Sequence, residues 1–160
     1  MTSSPCPRCP LALYLTWNTY GSWPQGDPHG WIRRADPLRY DHDPAIVAHC
    51  RERQREPTVT FTAEERAVVA DSIDRSCAQR GWPVHGRCVR TQHVHLVVSA
   101  TMASQPLLIA LKGEATRALR ARWPTLDAQR LWARRGYVVA LYTERALARV
   151  VAYVHADHHR

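Results

Sequence analysis

The chain predicts an α+β domain: a ferredoxin-like antiparallel sheet with helices on one face, plus a C-terminal helix that carries a tyrosine. Three observations lead there. The stretch Thr91 to Val98 alternates polar and apolar residues, with Val94, Leu96 and Val98 on one side and His93, His95 and Val97 on the other, the mark of a strand with two different faces. The apolar segments follow one another as strand, helix, strand, strand, helix, strand, and the third and fourth are close enough to pair as a hairpin. One more amphipathic segment comes after the last strand and includes Tyr153. At 160 residues the chain reads as a single domain over 1–160 with enough length to bury a core.

The elements are justified in turn. Leu11 to Trp17 is apolar and aromatic and forms a first strand. From Asn18 the chain is dense in Gly and Pro, and the expectation is a long irregular loop insertion over 18–57. Thr62-Ala63-Glu64-Glu65 is a capping box that opens a helix running to about Arg80, with Gly81 just past its end. Its buried stripe is Val69, Ile73 and Cys77, flanked by Val68 and Ala70. Pro83 to Arg90 forms a second strand and pairs with the alternating one. Ser104 caps a second helix with Pro106 in its first turn, and Leu108, Leu111, Ala115 and Leu119 form its buried stripe. Pro124 ends it. Tyr137 to Tyr142 is a strand following Gly136, and Thr143 caps a last helix from Glu144 to about His158.

Charge and cysteines narrow the partner and the compartment. Lys and Arg number 22 against 14 Asp and Glu, a formal charge of +8, which favours a polyanionic partner and nucleic acid first. Lys112 is the only lysine; arginine forks onto phosphate and stacks on bases, although a GC-rich genome enriches arginine equally well. Five cysteines are an odd number, no secretory signal precedes them, and the apolar runs are too short for a membrane span, so a reducing cytoplasm is the expected setting. Cys6-Pro7-Arg8-Cys9 is half of a zinc knuckle without a second half. Around the early loop Tyr20, Trp23 and Trp31 interleave with Arg33 and Arg34. Such a mixture either stacks unpaired bases or folds back as a small satellite core. Lys112 and Arg120, with Arg117 and Arg122, give the second helix a basic side that either meets phosphate or is simply solvated.

Period two puts His93 and His95 on the same face of their strand, with Val94, Leu96 and Val98 on the other. Two adjacent imidazoles suit a divalent cation, and they suit two ordinary hydrogen-bonded histidines too. With helices on the apolar face, the histidines point at the open face, where the terminal helix can fold across. On that helix Leu147, Val151 and Val154 form the packing stripe, and Tyr153 and Asp157 stand one turn apart on a neighbouring one. If the helix packs beside the strand, two imidazoles and a carboxylate gather around a cation site with a phenol next to it. The plain alternative for Tyr153 is an amphipathic residue with its hydroxyl at the surface.

These residues resemble the single-tyrosine HUH transposases, in particular the IS200-like and REP-associated tyrosine transposases. The resemblance rests on His93-Val94-His95 within an apolar strand, the order of elements, and the helix containing Val150-Val151-Ala152-Tyr153-Val154-His155. An early stretch from Trp17 to Asp27 also matches a subset of that family. The resemblance implies a transposition enzyme that cuts and rejoins single-stranded DNA, often at the foot of a hairpin, through a 5′-phosphotyrosine. It implies His93 and His95 as metal ligands, Tyr153 as nucleophile, and Mg²⁺ or Mn²⁺ as cofactor. The third ligand position of the family, commonly an amide, falls on Asp157, with His158 beside it. A monomer and a homodimer are both compatible; in a dimer the helix carrying Tyr153 would complete the partner's site. The competing readings are a small replication initiator or relaxase, a binding module for single strands without catalysis, and a zinc protein built on Cys6 and Cys9.

Overall fold

The computed structural model describes residues 9–28, 31–33 and 36–158, and their side chains apart from those at 31–39 and 157–158. At its centre is β1 (Ala12–Thr19), antiparallel to β5 (His93–Val98) on one side and to β6 (Trp132–Leu141) on the other. β4 (Val84–Val89) pairs antiparallel with β5 and closes the sheet order β4-β5-β1-β6. This is the ferredoxin-like arrangement that the element order predicts. Leu13, Leu15 and Trp17 of β1 and Val94, Leu96 and Val98 of β5 form one apolar face. It is covered by α2 (Ala63–Gln79) and α3 (Ser104–Arg122). On the second face α4 (Glu144–His158) packs on β4 and along β5 and leaves the β6 side open. There Val154 closes a smaller layer with Ala12, Cys88, Val97 and Leu141.

The helix ends follow local chemistry. Thr62 Oγ1 accepts from Glu65 N (3.2 Å) while Glu65 Oε2 accepts from Thr62 N (2.9 Å), so the capping box closes in both directions. At the far end Gly81 takes φ +66°, Trp82 N donates to Cys77 O (2.9 Å) and Gly81 N to Ala78 O (3.1 Å), which occupies the last carbonyls of α2. Thr143 Oγ1 accepts from Ala146 N (3.1 Å) at the start of α4. Among the described residues no helix is long and apolar enough to cross a membrane.

Three expectations are corrected. The region 18–57 is not irregular throughout: β2 (Trp31–Arg33) and β3 (Asp36–Tyr40) form a two-stranded sheet, and α1 (Pro44–Glu52) follows. Asp43 caps α1 by accepting from Ala45 N (3.0 Å) and Ile46 N (3.2 Å), with Pro44 in its first turn. No residue of α1 is fully buried; Ile46, Val47 and Cys50 are half-buried on one side of a helix only nine residues long. Second, Ser104 is the first residue of α3 rather than its cap; Ala103 holds the cap position without a side-chain bond. Third, β6 starts at Trp132 and runs straight through Gly136. A Cβ at Gly136 would lie 2.6 Å from Leu108 Cδ2 and 2.8 Å from Thr16 O, so the glycine is where α3 rests on the sheet, not a strand boundary.

Candidate active site

His93 and His95 lie opposite Asn18 and Thr16 of β1, on the face that carries α4. Their ring centroids are 4.8 Å apart at an interplanar angle of 76°. The face is set by the apolar alternates: Val94, Leu96 and Val98 are buried under α2 and α3, which forces the histidines outward. His95 is 8% exposed. Its Nδ1 lies 2.8 Å from the hydroxyl of Tyr14, and the two rings stack at 5.9 Å and 9°. Nδ1 of His95 is thus engaged by a hydroxyl from the neighbouring strand β1.

Tyr153 reaches this pair from α4. Its ring centroid is 5.9 Å from that of His95, edge to face at 83°, and the side chain is 56% exposed. Val154, the next residue, is completely buried. Packing of Val154 into the sheet therefore aims Tyr153 at the rim of the helix, above the histidines. The helix crosses β4 at Gly86, where Val154 and His155 lie within van der Waals reach of the glycine. The tyrosine and the histidines thus meet within one chain.

A third element completes the surroundings. Trp23, 47% exposed, sets its ring against His93 at 6.3 Å and 70°. It has φ +53°, the one described non-glycine residue with a positive φ. That conformation is uncommon for a bulky side chain and persists only where the neighbours impose it. Here they do. Ser22 Oγ donates to Thr19 O (2.8 Å) and to Gln92 O (3.3 Å), tying the turn to the residue that precedes His93. Arg51 of α1 donates to Gly21 O (2.7 Å), and a Cβ on Gly21 would lie 2.5 Å from Gln54 Nε2. The role of α1 is to hold this turn. Tyr137 of β6, opposite Thr16, is 63% exposed and shares a face with Val139 and Leu141, hence with His95.

The expected DNA-contacting residues divide sharply. Trp23 stands at the histidine pair. Lys112 and Arg120 are used inside the fold, on the side of the sheet away from it. Lys112 Nζ donates to Ala133 O (2.9 Å) and Arg135 O (3.0 Å), and burial brings its pKa from 10.5 down to about 8. Arg120 donates to Leu126 O (3.3 Å) and Gln129 O (3.2 Å), bracing the turn after α3. Arg117 pairs with Glu114 at 2.9 Å, which holds that carboxyl below its usual range, and Arg122 lies over the Trp123 ring. The basic side of α3 is thus largely self-satisfied. Arg34 and Cys6 lie outside the described residues, as do the side chains of Trp31, Arg33, Asp157 and His158.

Two imidazoles side by side on one sheet face are a donor set that suits a divalent cation, with phosphate and water oxygens as the further ligands it would need. Among the described residues no group of three His, Cys, Asp or Glu side chains converges, and the position expected for a third ligand, Asp157, is outside them. Tyr14 and Tyr137 are the site residues that sequence reasoning missed. Their signal was available in part: in Leu13 to Asn18, as after Gly136, the residues between the buried ones define the opposite face. Which partner each would meet was not legible, because it depends on strand order.

The family model described as "Transposase IS200 like" matches residues 40–157. No curated protein sequence matches the chain. Among solved structures, one described as a "putative transposase" from Deinococcus radiodurans R1 is similar at 18% identity and a TM-score of 0.47, covering 93% of this chain and 92% of that one. A REP-associated tyrosine transposase bound to a REP hairpin is similar at 9% identity and a TM-score of 0.49, covering 91% of this chain and 65% of that one.

Proposed function

Since the chain belongs to the IS200-like transposase family, we propose that it cuts and rejoins single-stranded DNA, with Tyr153 as nucleophile and a divalent cation, Mg²⁺ or Mn²⁺, held by His93 and His95. The observation that carries this reading is the approach of the Tyr153 ring to within 5.9 Å of the His95 ring on an open sheet face. The substrate class follows from the shape of the site and from the sequence resemblance. The face is open rather than closed into a cavity, its exposed rings Trp23 and Tyr137 offer stacking surfaces to unpaired bases, and the chain carries +8. A strand at the foot of a hairpin is the form of DNA that the resemblance implies. Asp157 is the proposed third ligand. With no membrane helix among the described residues, the proposed setting is the cytoplasm, on DNA.

The chemistry asks for one exchange at phosphorus. The Tyr153 hydroxyl oxygen bonds to the scissile phosphorus and gives its proton to solvent, the bond from phosphorus to the 3′ oxygen breaks, and that oxygen takes up a proton from solvent and leaves as a 3′-hydroxyl. The 5′ side stays joined to the protein as a phosphotyrosine. One phosphodiester replaces another, so a second hydroxyl can reverse the step without an external energy source. A phenol with a pKa near 10 is a weak nucleophile in neutral water, and a bound divalent cation supplies the charge that stabilises the phosphoryl transition state. Tyr153 is exposed enough to be reached by a strand, and docking of α4 limits where it can go.

The test is incubation of the full chain with end-labelled hairpin-containing single strands and Mn²⁺ or Mg²⁺. A covalent protein–DNA band is expected, absent in Tyr153→Phe and in His93→Ala, with the modified peptide containing Tyr153. Tight binding of single strands without any adduct across a panel of hairpins would replace this reading with a binding module.

A further inference from the structure

We infer that Tyr14 is a positioning residue for His95: its hydroxyl selects which imidazole nitrogen faces the open site. The inference rests on the proposed role of His95 as a cation ligand and adds to it a residue on a different strand. The Tyr14 hydroxyl lies 2.8 Å from Nδ1, and the stacked rings leave the imidazole little freedom to turn over. His95 is almost wholly removed from water, so Nδ1 depends on a protein partner. Tyr14 stands on β1 two residues from Thr16, the register partner of His95, a diagonal that an aromatic side chain spans.

The chemistry makes a specific demand. A neutral imidazole carries one proton on one nitrogen, and a coordinate bond needs the lone pair of the other. For Nε2 to bind a cation, the ring proton must sit on Nδ1 and be donated to an acceptor. The Tyr14 oxygen can accept it. The same hydroxyl can instead donate to Nδ1 when the proton sits on Nε2. Tyr14 therefore satisfies His95 in both tautomers, and cation binding selects the one with the proton on Nδ1. The ring proton is moved, not released: it leaves Nε2 and arrives at Nδ1 by way of solvent, while the phenol hydrogen turns away. A phenylalanine in this place would keep the stack and leave the Nδ1 proton without its acceptor. Tyr14 is assigned this role and not that of nucleophile because its hydroxyl is engaged and its ring packs into the layer beneath α4, whereas Tyr153 is open to solvent.

The experiment uses the full chain. Histidine ¹⁵N shifts are recorded without metal and with saturating Mg²⁺, and Mn²⁺ affinity is measured by electron paramagnetic resonance in the unsubstituted protein and in Tyr14→Phe. The expected results are a His95 ring with its proton on Nδ1 once Mg²⁺ is bound, and a fall in Mn²⁺ affinity of roughly 10- to 100-fold in Tyr14→Phe, the usual cost of losing an outer partner of a ligating histidine. The inference is overturned if Tyr14→Phe keeps its Mn²⁺ affinity within about twofold, or if Mg²⁺ leaves the proton on Nε2. A proton that stays on Nε2 in the unsubstituted protein overturns the inference even if the variant does not fold. Mn²⁺ binding that is unaffected by His93→Ala would instead overturn the metal reading as a whole, and a DNA adduct mapped to Tyr14 would overturn the assignment of positioning.

Discussion

Val154→Ala tests the link between packing and the placement of Tyr153. Val154 is fully buried in the layer between α4 and the sheet, a small layer that is separate, among the described residues, from the main one under α2 and α3. Ala146, Leu147, Val150 and Val151 add only partial burial on the same helix face. Truncation removes two methyl groups, about 1.6 kcal/mol of transfer free energy at roughly 0.8 kcal/mol per carbon. Incomplete collapse of the space left behind brings the cost to about 2–3 kcal/mol. Because α4 sits on its own small layer, most of that should appear as easier local opening of this helix. A loss of about 2 kcal/mol corresponds to a roughly 30-fold rise in opening. The assay is native-state hydrogen exchange, with the α4 amides compared with those of α2. Exchange in α4 should rise by about that factor while α2 changes little, and the yield of covalent DNA adduct should drop as the helix spends more time away from His95. Unchanged α4 exchange, or an equal rise in both helices, would refute the idea that a small separate layer docks the tyrosine.

Two further outcomes follow from the packing on the other side. Gly136→Ala should lower stability by about 1–3 kcal/mol in denaturant unfolding, because the new methyl meets the Thr16 carbonyl as well as Leu108 and the backbone cannot move cheaply. Lys112, whose pKa falls from 10.5 to about 8 on burial, binds its proton more weakly in the folded state than in the unfolded one. Its contribution to stability is therefore least favourable below about pH 8 and improves as pH rises towards 10.5. As the only lysine, it can be followed directly by lysine-labelled NMR. A midpoint near 10.5, or a stability rise over that pH range that persists in Lys112→Met, would contradict it.

Much of the architecture was legible because it is local. Period two in Thr91 to Val98 is enough to place two histidines on one face and three aliphatic side chains on the other. Thr62 with Glu65, Gly81 and Thr143 mark helix ends through bonds that span a few residues. Where the surrounding composition masks a local signal, reading failed: α1, capped by Asp43 and only half-burying Ile46 and Val47, lies in a stretch dense in Gly and Pro, and Gly136 reads as a break although its lack of a side chain is what lets a strand pass under α3. The basic side of α3 could not be resolved from sequence for a related reason, since charge in a sequence does not say whether a cation faces solvent or, like Lys112 and Arg120, a carbonyl of its own chain.

By itself, then, the chain's pattern determined the elements, their caps and which side chains share a face. Tertiary structure alone decided that Tyr14 meets His95 across 81 residues, that α4 lays Tyr153 over the same ring, and that Trp23 is turned towards His93. The reason is physical: periodicity is written by the backbone repeat of a single element, whereas those meetings depend on strand order and register, which only the burial of both sheet faces at once selects.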